Sequence, residues 1–274
     1  MMNLKDILEK NNIVPNKALG QNFLIDEKAL ERIAELASAD GLPVLEIGAG
    51  LGALTEKLAQ RTEKLLAVEI DKTLFNVLSE TFSDKLNVKL IRADFLKLSA
   101  DEILSQFGVS GFAVAANLPY YITSPICEKL INPDLPVKRM VLMMQQEAAE
   151  RFLSLPKAKN YVPLTVLTRQ LFDVSTAFTL SPASYYPQPT VNSAVLVFER
   201  RETSMPEYMP KIVRAAFAMR RKTLRNNLSV LIDKNCVDKV ITDAGLLPSM
   251  RAETLSNDDF IRLSQSCGEY FHGR

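Results

Sequence analysis

Leu45-Glu46-Ile47-Gly48-Ala49-Gly50-Leu51-Gly52 is an apolar run that ends in a glycine-rich turn, and a segment of helical period, Leu54-Thr55-Glu56-Lys57-Leu58, follows at once. Glycine lets the backbone turn tightly and lets a ligand approach the main chain closely. The helix that follows offers unpaired N–H groups at its start. A second apolar run, residues 65–70, carries Glu69 at its tip, seventeen residues after Gly52. A carboxylate in that place can accept hydrogen bonds from both hydroxyls of a ribose. Strand, glycine turn, helix, strand and acid together read as a site for an adenosine-containing cofactor. They do not say which one. Gly48, Gly50 and Ala53 also satisfy the dinucleotide spacing G-x-G-x-x-G/A, so a nicotinamide-dependent dehydrogenase is a live rival at this point.

Outward from the glycine turn, buried-strand runs alternate with helical ones. Residues 43–48, 65–70, 87–93, 112–117 and 139–144 are near-continuous apolar stretches. Such runs, separated by helices, predict a parallel sheet covered on both faces. The pattern then changes. Residues 172–180 and 193–200 are strand-like and flank a proline-rich loop, Ser181–Pro189, which predicts an antiparallel hairpin at the sheet edge. Residues 1–40 read as helical with a loop at 16–22, and from Pro206 onward only helical patterns occur. The expected organisation is a catalytic, cofactor-binding domain over residues 1–204 and a small helical domain over 205–274.

Composition narrows the function classes. The chain has 274 residues, 47% hydrophobic and 24% charged, which suits a globular protein. It has neither an apolar run of membrane-spanning length nor a signal-peptide core at its start, so a cytoplasmic location with no membrane partner is expected. Cys127, Cys236 and Cys267 are far apart and show no metal-ligand spacing; they read as buried or half-buried thiols, and no metal is expected. The one histidine, His272, stands at the chain terminus, where a side chain is usually solvated. Triads and general bases built on imidazole are thereby excluded. Net charge is +1, but Arg200, Arg201, Lys211, Arg214, Arg220, Arg221, Lys222 and Arg225 stand against only Glu202 and Glu207 over residues 200–225. That local excess reads as a phosphate-binding footprint, with a solvated helix face as the alternative.

The fourth apolar run leads directly into Asn117-Leu118-Pro119-Tyr120. In an open parallel sheet, ligand sites lie beyond the carboxyl ends of the strands, so this tetrapeptide should stand beside the cofactor. It suits methylation of an adenine amine. The N6 lone pair is delocalised into the ring, so the nitrogen needs acceptors for its N–H bonds as it pyramidalises, rather than a strong base. The Asn117 side-chain carbonyl and the Leu118 backbone carbonyl are two such acceptors, aimed where charge develops. Pro119 restricts Leu118 to extended backbone. Tyr120 offers a face on which adenine can stack, worth about 1–3 kcal/mol, and which favours the emerging positive charge. Hydride transfer has no use for this arrangement, so S-adenosylmethionine becomes the expected cofactor.

With these residues in view, the chain resembles the small-subunit (16S) ribosomal RNA adenine N6,N6-dimethyltransferases, the KsgA type. The likeness runs through Lys17–Leu24, the glycine turn, Glu69–Asp71, Arg92–Asp94, Asn117–Tyr120, Gln145–Arg151, Arg220–Asn226 and Arg251–Leu255. The resemblance implies a class I (Rossmann-like) methyltransferase fold: a seven-stranded, mostly parallel α/β sheet with a final antiparallel strand, plus a small C-terminal helical domain. It implies dimethylation of two adjacent adenosines near the 3′ end of small-subunit rRNA; the expected partner is that rRNA or a small-subunit precursor, and a monomer is assumed. It places Asn22, Leu24, Gly48, Gly50, Glu69, Asp94 and Asn117 at the cofactor, although Asp94 taken alone reads better as a helix cap. It gives Tyr185 the second face of a sandwich around the target base, opposite Tyr120. Arg220, Arg221, Lys222 and Arg225 would hold RNA phosphates, and a base within structured RNA would have to leave its stack.

The chain departs from the family pattern at Tyr185, where phenylalanine is usual, at Thr190, where lysine is usual, and at Tyr121, often a smaller polar residue. Rival readings are a large-subunit resistance-type adenine methyltransferase, a DNA adenine methyltransferase, and an RNA-binding assembly or transcription factor that kept the fold without the chemistry.

Overall fold

The computed structural model describes residues 8, 10, 11, 13–16, 20–119 and 121–271. Along the chain these form β1 (Phe23–Leu24), α1 (Glu27–Ser38), β2 (Val44–Ile47), α2 (Ala53–Ala59), β3 (Leu65–Glu69), α3 (Lys72–Thr81) and β4 (Val88–Arg92). There follow α4 (Ala100–Phe107), β5 (Phe112–Asn117), α5 (Thr123–Leu130), β6 (Val137–Gln145), α6 (Gln146–Leu153), α7 (Pro163–Leu171), β7 (Phe172–Leu180), β8 (Tyr185–Tyr186) and β9 (Ser193–Arg200). The rest is helical among the described residues: α8 (Met209–Phe217), α9 (Leu224–Leu228), α10 (Val237–Asp243) and α11 (Asn257–Phe271).

Seven strands form one sheet in the order β4-β3-β2-β5-β6-β9-β7. β4, β3, β2, β5 and β6 pair in parallel, and β9 pairs antiparallel to β6. The chain therefore folds as the class I methyltransferase architecture. The central strands are continuous apolar runs because both their faces are covered: Val44, Leu45, Leu65, Leu66, Ala113 and Val114 are fully buried. The 172–180 and 193–200 runs do lie at one side of the sheet. β9 inserts between β6 and β7, which leaves β7 at the edge.

Local signals set the helix starts. The Asp26 carboxylate accepts the Ala29 N–H (3.1 Å) to open α1, and Asp71 accepts from Thr73 and Leu74 to open α3. Ser99 and Glu102 form a reciprocal capping box on α4. The α1 face made by Ala29, Leu30, Ile33, Ala34 and Ala37 packs into the same core as Val44, Leu65, Ala113 and Val195.

The first forty residues are not simply helical. Phe23–Leu24 is a short strand pairing antiparallel with Tyr185–Tyr186, inside the proline-rich loop. Two residues are too few for any periodicity to reveal.

The chain divides into two compact units, residues 1–149 with 174–200, and residues 150–173 with 201–274. This differs from a single cut after residue 204. Residues 150–173 go with the C-terminal helices because they complete that unit's core. The Tyr161 hydroxyl donates to the Leu255 carbonyl (2.8 Å), and the Asn257 side chain donates to Val166 (2.8 Å). Tyr161 also packs its ring against Phe217, which stacks on Phe260.

Candidate active site

A cavity opens at the carboxyl ends of β2, β3, β4 and β5, where a doubly wound sheet places its ligands. It encloses about 1090 Å³, open solvent at its mouth included. On one side stands the glycine turn. Gly48 lines the cavity and adopts φ +77°; a side chain there would meet only the Asn117 carbonyl, at 4.0 Å, and would stand in the cavity itself. Gly52 is glycine for another reason: at φ +88° its missing Cβ would lie 2.5 Å from the Phe82 ring. The Gly50 N–H donates to Glu69 Oε2 (2.7 Å), and the Asp71 N–H to Oε1 (2.8 Å). Glu69 is 5% exposed. Burial pushes its pKa up, against the backbone N–H groups that favour the carboxylate. A carboxylate offers roughly four acceptor positions, so Glu69 keeps capacity for a further hydroxyl donor beyond its backbone N–H partners.

Beneath the turn, Glu46 is 2% exposed and accepts the Thr55 hydroxyl (2.6 Å). Burial first, and Glu69 nearby, push its pKa up to about 8. The bond ties the last residues of β2 to the first turn of α2 and so closes the glycine turn like a clasp.

Asp94 lines the opposite wall. Its Oδ1 accepts the Leu96 N–H (3.0 Å) and caps a short 3-10 turn, Phe95–Lys97. Its Oδ2 lies 3.9 Å from Lys97 Nζ. The capping role and a ligand-binding role are therefore compatible, one oxygen for each.

The segment from Gly20 to Phe23 roofs the cavity. The Gln21 side chain donates to Asp71 (3.3 Å). The Asn117 side-chain NH2 donates to the Asn22 carbonyl (2.9 Å). Phe23 lies against Gly50, and Gly20 against Pro119 and Tyr121. The β1–β8 pairing and an Ile25 N–H to Ser184 carbonyl bond (2.9 Å) hold this roof down. Gln21, Phe23, Ile70 and Phe95 also line the cavity and had no individual signal in the sequence.

At the acceptor loop, the bond to Asn22 decides which way the Asn117 amide faces. Its NH2 is engaged, so Oδ1 is the end it can present. The Leu118 N–H donates to Met143 (2.9 Å), and its carbonyl has no partner among the described residues. The Pro119 carbonyl, by contrast, accepts from Ile122 and from the Thr123 hydroxyl. Tyr121 lines the cavity mouth and is 58% exposed. Tyr120, expected to stack on the base, lies outside the described residues, as does His272.

Two expected site residues, Tyr185 and Leu24, have buried side chains. Tyr185 is paired with Leu24 across β1 and β8. It is 2% exposed, packs in the core with Val195 and Leu24, and donates its hydroxyl to Met143 Sδ (3.0 Å). Leu24, its β-pair partner, is 6% exposed and its side chain belongs to the same core. The alternation of β1 and β8 explains both: successive side chains point to opposite faces, and Leu24 and Tyr185 share the inward one.

In the second unit, Arg220, Arg221, Lys222 and Arg225 are all exposed. Arg220 pairs with Glu253 (2.9 Å) and Arg225 with Asp238 (3.1 Å). Arg221 and Lys222 make no ion pair among the described residues. The Arg220–Glu253 bond joins the two C-terminal sequence motifs. No described helix is long and apolar enough to cross a membrane, and no group of His, Cys, Asp and Glu suited to a metal occurs among the described residues.

Comparison with known proteins agrees with the geometry. Residues 13–268 match the family model described as ribosomal RNA adenine dimethylase. A relative from Bacillus mycoides (strain KBAB4), named ribosomal RNA small subunit methyltransferase A, is 42% identical over 96% of this chain and 94% of its own. Among solved structures, a dimethyladenosine transferase from Plasmodium falciparum has a TM-score of 0.76 at 24% identity, covering 90% of this chain and 98% of that one. The 23S rRNA methyltransferase ErmE has a TM-score of 0.66 at 27% identity, covering 89% and 98%. A glycine cradle, a buried carboxylate with acceptor capacity and an oriented amide after β5 thus stand in a chain that belongs to the ribosomal RNA adenine dimethylase family, the S-adenosylmethionine-dependent methyltransferases of rRNA adenine.

Proposed function

We propose that this chain dimethylates the N6 amines of two adjacent adenosines near the 3′ end of small-subunit rRNA, acting in the cytoplasm, as a monomer, on a small-subunit precursor. The observation that carries the reaction is the Asn117 amide. Its NH2 is committed to Asn22, so its carbonyl end is left for an amine that needs an acceptor. The small-subunit choice is supported by the relatives at 42% identity that bear that name.

S-adenosylmethionine supplies an electrophilic methyl group on a sulfonium. The residues fit it: Gly48 leaves space that a Cβ would fill, and Glu69 can take a ribose hydroxyl. Asp94 Oδ2 would accept from the cofactor's adenine amine, with Gly50 and Asn22 backbone beside it. At the other end, Asn117 Oδ1 and the Leu118 carbonyl hold the two N6 hydrogens of the target, so the nitrogen pyramidalises toward the methyl group. Neither acceptor is a base: the cationic methylated amine is strongly acidic and gives its proton to water, and the second transfer proceeds with the one N–H that remains. Tyr120 supplies a stacking face; Tyr185, buried against Met143, supports the Leu24 side of the roof instead of stacking on the base. In the second unit, Arg221 and Lys222 are the cations best placed to meet phosphate, with Arg220 and Arg225 available once their carboxylate partners are exchanged for RNA.

The likeness to a 23S rRNA methyltransferase keeps a large-subunit target as the rival. Labelled S-adenosylmethionine with small subunits lacking the modification, followed by nucleoside mass spectrometry, decides. Dimethyladenosine in small-subunit RNA is the expected product. Label only in large-subunit RNA would overturn the assignment, and cofactor binding with no transfer to either would favour an assembly factor.

A further inference from the structure

Lys129 belongs to none of the motifs above, yet it joins two of them. It lies in the last turn of α5, the helix entered from the Asn117–Tyr121 loop. From there its ammonium crosses to the connection after β4. It donates to the carbonyls of Phe95 and Leu98 and stands 4.7 Å from the centroid of the Phe95 ring. Those carbonyls begin and end one short turn, in which the Leu98 N–H returns to the Phe95 carbonyl (3.3 Å). Asp94 caps the same turn from its start. The turn is thus held at one end by a carboxylate and at the other by an ammonium, and its residues Asp94, Phe95 and Leu96 form a wall of the cofactor cavity.

The ammonium is half-buried, and burial draws its pKa down while the Asp94 and Glu102 carboxylates oppose the change. A partly desolvated charge is costly unless it is hydrogen-bonded. Hydrogen bonds from a charged donor are roughly twice as strong as neutral ones. A lysine with only a solubility role would extend into water. This one gives its donors to main-chain carbonyls of a segment more than thirty residues earlier in the chain.

We propose that Lys129 is a positioning residue for the adenine subsite of the cofactor: by pinning the Phe95 and Leu98 carbonyls it holds the turn so that Asp94 Oδ2 faces the adenine amine. Because α5 carries it, the same contact ties that subsite to the loop that receives the target base. The proposal rests on the reading of Asp94 as the acceptor of that amine.

The test is calorimetry with S-adenosylhomocysteine and with its analogue bearing hydrogen in place of the 6-amino group. Wild-type protein should bind the analogue about tenfold more weakly, one hydrogen bond to a charged group. K129M, which keeps the aliphatic stem, should bind S-adenosylhomocysteine about tenfold more weakly and lose most of the discrimination between the two ligands. K129R, with two N–H groups for the two carbonyls, should restore both. In turnover, K129M should raise KM for S-adenosylmethionine with little change in kcat. Wild type that does not discriminate would refute the role of Asp94. Discrimination kept in K129M, whether affinity is unchanged or lowered equally for both ligands, would overturn the role of Lys129 alone. Should K129M fail to fold, as judged by its melting curve, K129Q takes its place in the same measurement.

Discussion

In the cofactor half of the cavity the protein's polar groups already have partners. Glu69 receives the Gly50 and Asp71 N–H groups, Asp94 caps its turn, and Gln21 reaches Asp71. In the target half, Asn117 Oδ1 and the Leu118 carbonyl have none among the described residues, and Tyr121 stands 58% exposed. The first half is wired before any ligand arrives. The second is a pair of aimed acceptors whose donors must come from the substrate. Such a division suits an enzyme with one small, constant cofactor and a large RNA target. Groups preorganised toward a transition state lower the barrier because they need not reorient as charge develops.

Substitutions on the two sides should separate. The largest effect is expected for Asn117→Ala. kcat should fall about 10²–10³-fold, the usual cost of one oriented transition-state group, while calorimetric affinity for S-adenosylhomocysteine changes far less. Comparable losses in both would erase the distinction between the halves. Glu69→Ala should do the opposite, weakening S-adenosylhomocysteine about 10–100-fold, as expected for lost hydrogen bonds to a charged acceptor, with binding to the ribosomal particle retained. Reversing Arg221 and Lys222 to glutamate touches neither half. It should weaken particle binding and make the plot of log affinity against log salt shallower by about two. An unchanged slope would show that these cations meet no phosphate.

The smallest effect tests the clasp under the glycine turn. Glu46 titrates near 8 in the folded chain, against an ordinary value of 4.5. The folded state therefore holds a proton that the unfolded state releases, and stability falls as pH rises from about 4.5 toward 8, by at most about 1.4 kcal/mol per pH unit from this group. Glu46→Gln, neutral at every pH, should flatten the dependence of melting temperature on pH across that window while preserving the glycine turn. A slope as steep as wild type would mean that Glu46 is ionised in the fold.

The sheet was legible from the sequence because buried parallel strands are written as contiguous apolar runs, and each of residues 43–48, 65–70, 87–93, 112–117 and 139–144 overlaps an observed strand. The glycine turn, Glu69 and Asn117 were legible because their chemistry and their place after a strand coincide. What escaped was long-range and short in extent. The pairing of Phe23–Leu24 with Tyr185–Tyr186 involves two residues on each side. Its alternation sends the Tyr185 side chain inward beside Leu24. Residues 150–173 join the second unit through Tyr161 and Asn257, contacts with partners about ninety residues away that no local pattern announces. Lys129 was invisible for the same reason: its significance lies in two carbonyls on another connection.

The β1–β8 pairing also has a consequence for biosynthesis. Residue 24 emerges from the ribosome early and residue 185 late. A nascent chain that has exposed only its first three or four strands has no partner with which to fasten the roof. Contacts this distant in sequence are slow to form, so the cavity stays uncovered until synthesis is well advanced. The roof of the site is thus fastened only after about two thirds of the chain has been made.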